Sequence, residues 1–172
     1  MKSELATICD ELARKLTGAV HRIEGRIFFK IGEAGYSVIG KLEERPVIID
    51  LEAYGEVLIR IDCNTTYMFQ ILPNTFFSRF DFLLRQRVFV GEQDFDNKFV
   101  VHSNYSQKIT EWLMNTEIRE SIASLAPFIH LMFKKGLLRY RSKFNVDEPD
   151  RAKIINKIEI LDTIAASLES LH

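Results

Sequence analysis

The chain has 172 residues, enough for one well-buried core, and its 47% apolar and 27% charged residues are ordinary for a globular protein. The net charge is −1, and acidic and basic side chains are spread evenly over both halves of the chain. Phosphate contacts dominate nucleic-acid affinity and require an excess of Lys and Arg. The balance of charges therefore argues against a general nucleic-acid binder.

Cysteine usage and hydropathy predict a cytoplasmic protein. Cys9 and Cys63 are far apart, one in a helix pattern and one in a strand pattern, so we expect two reduced and mostly buried thiols. The first residues lack the apolar core of a signal peptide, and no apolar run approaches the roughly 20 residues of a membrane span. We therefore expect no transmembrane segment.

The N-terminal half begins with an amphipathic helix and continues as strands. Apolar residues recur at helical spacing from Leu5 to Leu16. Period-two alternation then predicts strands over about residues 20–31, 36–42, 47–52, 57–63 and 67–72, with a hairpin turn at 32–35 and a break at Arg45-Pro46. Short turns and one charged face indicate an antiparallel meander with one side in water.

The second half contains shorter elements and a long final helix. The patterns predict a short helix over 76–85, strands over 88–90 and 98–103, two short helices beginning near Ser106 and Thr116, and a hairpin of strands 128–133 and 137–141. A wide apolar face from Ile154 to Leu171 predicts the closing helix, which follows an acidic start.

These elements predict an α+β fold in a single domain that spans residues 1–172. The strands alternate and both terminal helices are amphipathic, so each needs an apolar partner surface. We expect a curved antiparallel sheet packed on one face by the N- and C-terminal helices. The short helix pair would be inserted before the last hairpin.

The stretch from Gly91 to Ser103 is the part of the chain that most resembles a sequence motif. If it is extended, Asp94 and Asp96 point the same way and form paired carboxylates, with His102 as a nearby base. Alternatively the two Asp side chains form a turn and accept backbone N–H bonds, while Phe95 and Phe99 anchor the segment in the core. The second interpretation is favoured, because such turns are the commoner use of closely spaced Asp residues.

Other chemical signatures are missing from the sequence. The four histidines lie in separate elements, the glycines are scattered singly, and there is no Gly-x-Ser-x-Gly nucleophile elbow. We therefore expect no metal and no cofactor.

One basic cluster (Lys134, Lys135, Arg139, Arg141 and Lys143) is either a phosphate-tracking surface or a solvated hairpin, and the solvated hairpin is favoured.

The pattern Gly91-x-x-x-Phe95-Asp96-x-x-Phe99-Val100-Val101 resembles a signature of a bacterial family of uncharacterised proteins, a domain of unknown function. The likeness runs from about residue 23 to the C-terminus, although Glu92 replaces the Asp that usually follows the Gly. The resemblance implies a shared fold and a structural role for Phe95, Asp96 and Phe99. It implies no activity, cofactor or catalytic residue.

Three functional hypotheses follow. The leading one is a non-enzymatic binding or protein-interaction module, whose ligand or partner face is the Phe-rich segment with Phe76, Phe77, Phe80 and Phe82. Its partner would be a second copy of the chain or an unidentified protein. The alternative is a carrier of a hydrophobic small molecule, in a pocket between sheet and long helix lined by Phe29, Phe69, Phe80 and Ile158. The third is an enzyme that uses Asp94, Asp96 and His102.

Overall fold

An antiparallel sheet of nine strands organises the part of the chain that the computed structural model describes, residues 4–23, 35–42, 44–52, 54–75, 86–145 and 150–171. In chain order its elements are α1 (Glu4–Lys15), β1 (Ala19–Ile23), β2 (Gly35–Leu42), β3 (Arg45–Glu52), β4 (Glu56–Asp62), β5 (Phe69–Pro73), β6 (Gln86–Val88), α2 (Gln93–Lys98), β7 (Phe99–Ser103), α3 (Ser106–Leu113), α4 (Thr116–Ser124), β8 (His130–Lys134), β9 (Leu137–Lys143) and α5 (Arg151–Glu169).

The strand order is β1-β2-β3-β4-β9-β8-β5-β7-β6, and every neighbouring pair is antiparallel. The predicted meander holds for β1 to β4. It is wrong for β5, because the closing hairpin β8–β9 lies between β4 and β5. The hairpin joins the two halves of the sheet, with β9 paired to β4 from Glu56↔Lys143 to Asp62↔Leu137.

The helices cover one face of this sheet. Helix α1 packs on β1 and β2, and α5 packs on β4 and β9. The short helices α3 and α4 precede the last hairpin. The predicted α+β class, with one antiparallel sheet packed by terminal helices and a helix pair before the last hairpin, is confirmed.

The core between helices and sheet is close-packed and aromatic. The Phe69 ring centroid lies 5.2 Å from that of Trp112 and 6.2 Å from that of Phe133. Phe69 and Ile158, two of the residues proposed to line a carrier pocket, are fully buried members of this core. Phe29 and Phe80 lie outside the described residues. The described part of the predicted pocket is therefore filled by neighbouring side chains.

Most strand boundaries differ from the prediction by one or two residues, and two of these differences concern β3 and β6. Strand β3 begins at Arg45 and includes Pro46, which is opposite Lys41, so the dipeptide does not interrupt the strands as expected. Proline is tolerated there because it is close to the start of the strand. The strand predicted at 88–90 ends at Val88. The predicted turn at 32–35, except for Gly35, and the predicted helix at 76–85 lie outside the described residues.

An ion-pair network fastens α5 to the sheet. Arg45 donates from Nη1 and Nη2 to the Glu169 carboxylate at 2.7 and 3.0 Å, and from Nε to Asp162 at 2.8 Å. Glu169 also accepts the Asn64 backbone N–H at 2.7 Å. These hydrogen bonds, above all those from Arg45, lower the pKa of Glu169.

Among the described helices, none is both long enough and apolar enough to span a membrane.

The two thiols should be inert in the folded protein. Cys9 and Cys63 are free and buried, as predicted, and burial raises the pKa of each to about 12. Since the thiolate is the reactive species, we expect iodoacetamide at pH 8 to modify neither cysteine of the native chain and both after unfolding. Intact mass measures the result. Rapid modification of the native chain would contradict the assigned burial.

The Arg45 network should give an acid-dependent contribution to stability. We expect Glu169→Gln to lower the free energy of unfolding at pH 7 by about 1–2 kcal/mol, because it weakens charge-assisted hydrogen bonds. The folded-state pKa lies below the ordinary 4.5, so the contribution is complete above that pH and disappears as the pH falls through the folded-state value. Urea denaturation at several pH values measures the difference. Glu44→Gln, whose parent side chain is 98% exposed, is the control.

Candidate functional site

The face of the sheet opposite the helices is polar across its central strands, and we call this part the open face. In β4 and β9 the inward residues Ile59 and Tyr140 are fully buried, whereas the intervening side chains are partly exposed. By this alternation the open face on β3, β4, β9 and β8 comprises Ile48, Asp50, Glu52, Glu56, Leu58, Arg60, Arg139, Arg141, His130 and Met132.

A depression of about 340 Å³ lies on this face. Its lining is Glu52, Tyr54, Glu56, Leu58, Arg60, His130, Met132, Arg139 and Arg141. Tyr54 is 46% exposed at its rim. Polar groups and a few apolar side chains therefore meet in one concave site of small-molecule size.

Two of the three arginines in the depression have acidic partners. Arg141 donates from Nε to Glu56 at 2.8 Å, and a second bond runs from its Nη2 to the same oxygen. Arg60 donates from Nη2 to Asp50, which also accepts the Ser37 hydroxyl at 2.7 Å. These contacts occupy Asp50 and Glu56.

Arg60 and Arg139 form an unusual pair. They are directly opposite each other on β4 and β9, where like charges are unfavourable. Each has a buried Nε with no hydrogen-bond partner among the described residues. Arg139 takes part in none of the ion pairs found among those residues. Donor capacity is thus left over at this position.

The surrounding electrostatics divide the open face into two ends. Burial, followed by the charges of Arg141 and Arg139, lowers the pKa of His130, so its imidazole is neutral at pH 7. At the other end Glu52 and Glu56 are directly opposite each other, and burial together with neighbouring acids raises the pKa of Glu52. The positive end lies at Arg60 and Arg139.

The row that contains these two arginines continues across the sheet through Met132, Gln70, His102 and Arg87. His102 is 2% exposed, and neither ring nitrogen has a hydrogen-bond partner among the described residues. The predicted base His102 therefore lies on the opposite side of β7 from Phe99 and Val101, which belong to the core on the helix side.

The two aspartates of the motif do not form the carboxylate pair that an extended segment would produce. Residues 93–98 form helix α2, so side chains two residues apart point about 200° apart. Asp94 is exposed, whereas Asp96 accepts the backbone N–H groups of Val90 at 3.2 Å and Gly91 at 2.9 Å. The expected backbone acceptor role is thus observed for Asp96 alone.

The remaining motif residues belong to the core. Phe95 and Phe99 are each 5% exposed with ring centroids 5.0 Å apart, and Phe99 stacks on Phe128 at 5.5 Å.

Glu92 pairs with Arg119 at 3.4 Å. In the described chain no group of three or more His, Cys, Asp or Glu side chains is arranged to hold a metal ion.

The proposed partner face with Phe76, Phe77, Phe80 and Phe82 lies outside the described residues. Just beyond it, Phe89 is 63% exposed, and the Arg87 guanidinium lies 4.4 Å from the centre of its ring. The Phe-rich segment stays a prediction.

Sequence reasoning identified Arg139 and Arg141 within the basic cluster but missed Arg60. The charged face of β4 was visible as alternation, yet nothing local indicates that β4 pairs with β9. That pairing places Arg60 against Arg139 and Glu56 against the neighbourhood of Arg141. Both β4 and β9 alternate charged and apolar residues, so a comparison of alternating strands could have offered their pairing as one of several.

Comparison with known proteins adds a fold relationship. No protein-family model matches the chain, and no curated protein matches it. A crystal structure of the mycobacterial trehalose monomycolate transport factor A has the same fold, with a TM-score of 0.68 and 10% sequence identity. The match covers 99% of this chain and 98% of that chain. At this identity the likeness concerns the fold alone.

A matched pair of substitutions tests the structural role of the motif. We expect Asp96→Ala to lower the free energy of unfolding by about 2 kcal/mol, because two backbone N–H groups lose a charged acceptor. Asp94→Ala, at an exposed position of the same helix, should change it by less than about 0.5 kcal/mol. Thermal or urea unfolding measures both. Equal effects of the two substitutions would contradict the assigned contacts.

Proposed function

We propose that the protein is a non-enzymatic binding module of the bacterial cytoplasm whose binding surface is the open face of the sheet. The observation that supports this most is the row of partly buried charged side chains there, with donors that no described residue satisfies. Unpaired polar groups lower stability, so a surface that keeps several of them in one depression fits a ligand or partner that supplies the acceptors.

The sheet also suits a binding role mechanically. The residues of the open face stand on β3, β4, β9 and β8, which are interior strands paired on both sides. Their positions are held by two ladders of backbone hydrogen bonds, so little ordering is needed when a ligand binds. Sites on regular elements are more precisely positioned than sites on loops.

The second candidate function is a carrier of a hydrophobic small molecule. It is favoured by the shared fold with a trehalose monomycolate transport factor. Phe69 and Ile158 are fully buried, which argues against the pocket predicted between the sheet and α5. A carrier would therefore need a different apolar site from the one inferred from the sequence.

Two further elements of the proposal concern partners and family. A homodimer through Phe76, Phe77, Phe80 and Phe82 is the alternative partner geometry, since apolar contact between two copies favours association. The likeness of the Gly91–Val101 pattern to a bacterial domain of unknown function supports a bacterial origin. Neither element depends on the open face.

Native mass spectrometry of protein purified gently from cells, without refolding, tests the proposal. We expect either an extra mass on each protomer or a mass of twice the monomer, and we expect Met132→Glu to remove it. The substitution places a carboxylate in the lining of the depression, opposite Arg139 on the neighbouring strand, where it would occupy the arginines and disfavour an apolar contact. Met114→Glu is the matched control, because Met114 is 55% exposed at the end of α3 and lies outside the lining of the depression.

The possible results separate the candidates. An extra apolar mass that both variants retain would favour the carrier and contradict the open face. A dimer that Phe77→Asp with Phe82→Asp abolishes, and Met132→Glu does not, would assign the interface to the Phe-rich segment. A clean monomer without added mass in the unsubstituted protein would remove the support for a bound partner.

A further inference from the structure

We infer that Arg60 and Arg139 bind the oxyanion group, carboxylate or phosphate, of a small molecule in the open-face depression. The inference rests on the proposed function and names the ligand chemistry of that same surface. It depends on three observations: the opposition of the two arginines, their unused donors, and the composition of the rest of the depression.

The opposition of the two cations is built into the sheet. Arg60 and Arg139 are Cα partners in a seven-residue pairing of β4 with β9, so neither side chain can move away by a shift of register. Directly opposite side chains have Cβ atoms about 5 Å apart. An anion placed between two guanidinium groups would turn their repulsion into two attractions.

The buried and unpartnered Nε groups distinguish this pair from Arg45 and Arg141. Arg45 uses Nε, Nη1 and Nη2 on Asp162 and Glu169, and Arg141 uses Nε and Nη2 on Glu56. Arg60 binds Asp50 through Nη2 and keeps a buried, unpaired Nε, as does Arg139. Among the described residues, Arg60 and Arg139 are therefore the two arginines with a buried Nε that has no partner. Guanidinium groups match carboxylate and phosphate oxygens in geometry and charge.

The rest of the depression favours a compact anion over an extended one. Glu52 lies in the same depression, and its carboxylate would repel a polyanion or an anionic membrane surface, whereas Glu56 is already bound by Arg141. Leu58 and Met132 supply apolar contact beside the arginines. The volume of about 340 Å³ is at the lower end of the range for small-molecule sites.

Nuclear magnetic resonance of the arginine Nε–H groups in the full chain tests the inference. Sodium phosphate and sodium acetate are titrated separately at constant ionic strength, with chloride as the replaced ion. We expect the Arg60 and Arg139 signals to shift and saturate with at least one of the two anions. The Arg45 signal, whose N–H is held by Asp162, serves as the internal control and should stay unchanged.

Substitutions assign the site to this pair. Arg139→Gln should raise the anion concentration that half-saturates the Arg60 shift at least tenfold, since a charge-assisted contact is lost. Arg139→Lys keeps the charge and removes Nε, and it should also weaken the shift, which guards against an effect of unfolding alone. Arg14→Gln, on α1, is the matched control and should change nothing.

Each outcome decides the inference. A saturable shift with phosphate alone, acetate alone or both supports the site and identifies the group it accepts. Shifts of equal size at Arg45, or shifts that Arg139→Gln leaves intact, mean an adventitious ion only and overturn it, as does the absence of a saturable shift. If the anion site fails while Met132→Glu still removes a retained mass, the binding surface stands and only its ligand chemistry is wrong.

Discussion

The pairing of β4 with β9 is the interaction on which the rest of the structure depends. It joins β1–β4 to the five strands that follow in the sheet, and it is formed by seven residue pairs. On the helix side it brings Ile59 and Tyr140 under α5, where both are fully buried. The Tyr140 hydroxyl donates to the Leu125 carbonyl at 2.9 Å, so the same pairing also positions the end of α4. Most of the core would lose its partner surface without it.

The same pairing produces the open face, because successive side chains of a strand point to opposite sides. The helix side is apolar and close-packed, whereas the opposite side holds acids, arginines and a neutral histidine whose interactions are only partly satisfied. Asp50 and Glu56 neutralise one arginine each, and no acidic side chain in the described part of the chain pairs with Arg139. The two faces thus differ in composition: the helix side is apolar and packed, and the other side has two buried arginine Nε groups without a partner among the described residues.

The motif between β6 and β7 belongs to the stabilising side. Asp96 closes the chain reversal at Val90 and Gly91, and Phe95 and Phe99 attach the short helix α2 to the core. Gly91 has a φ of +87°, a value that glycine adopts without strain, which explains its place before the helix.

Local sequence patterns were sufficient to predict most of the helices and strands. Helical spacing located α1 and α5, and period-two alternation located most strands and assigned one face to water, because these patterns depend only on neighbours along the chain. Helix α2 was missed, since six residues with one buried apolar side chain, Phe95, show no period. The tertiary structure alone decided that β9 enters beside β4, that His102 lies away from Asp94 and Asp96, and that Arg60 meets Arg139. Strand order and register depend on the packing of residues that are distant in sequence. Local periodicity therefore cannot predict them.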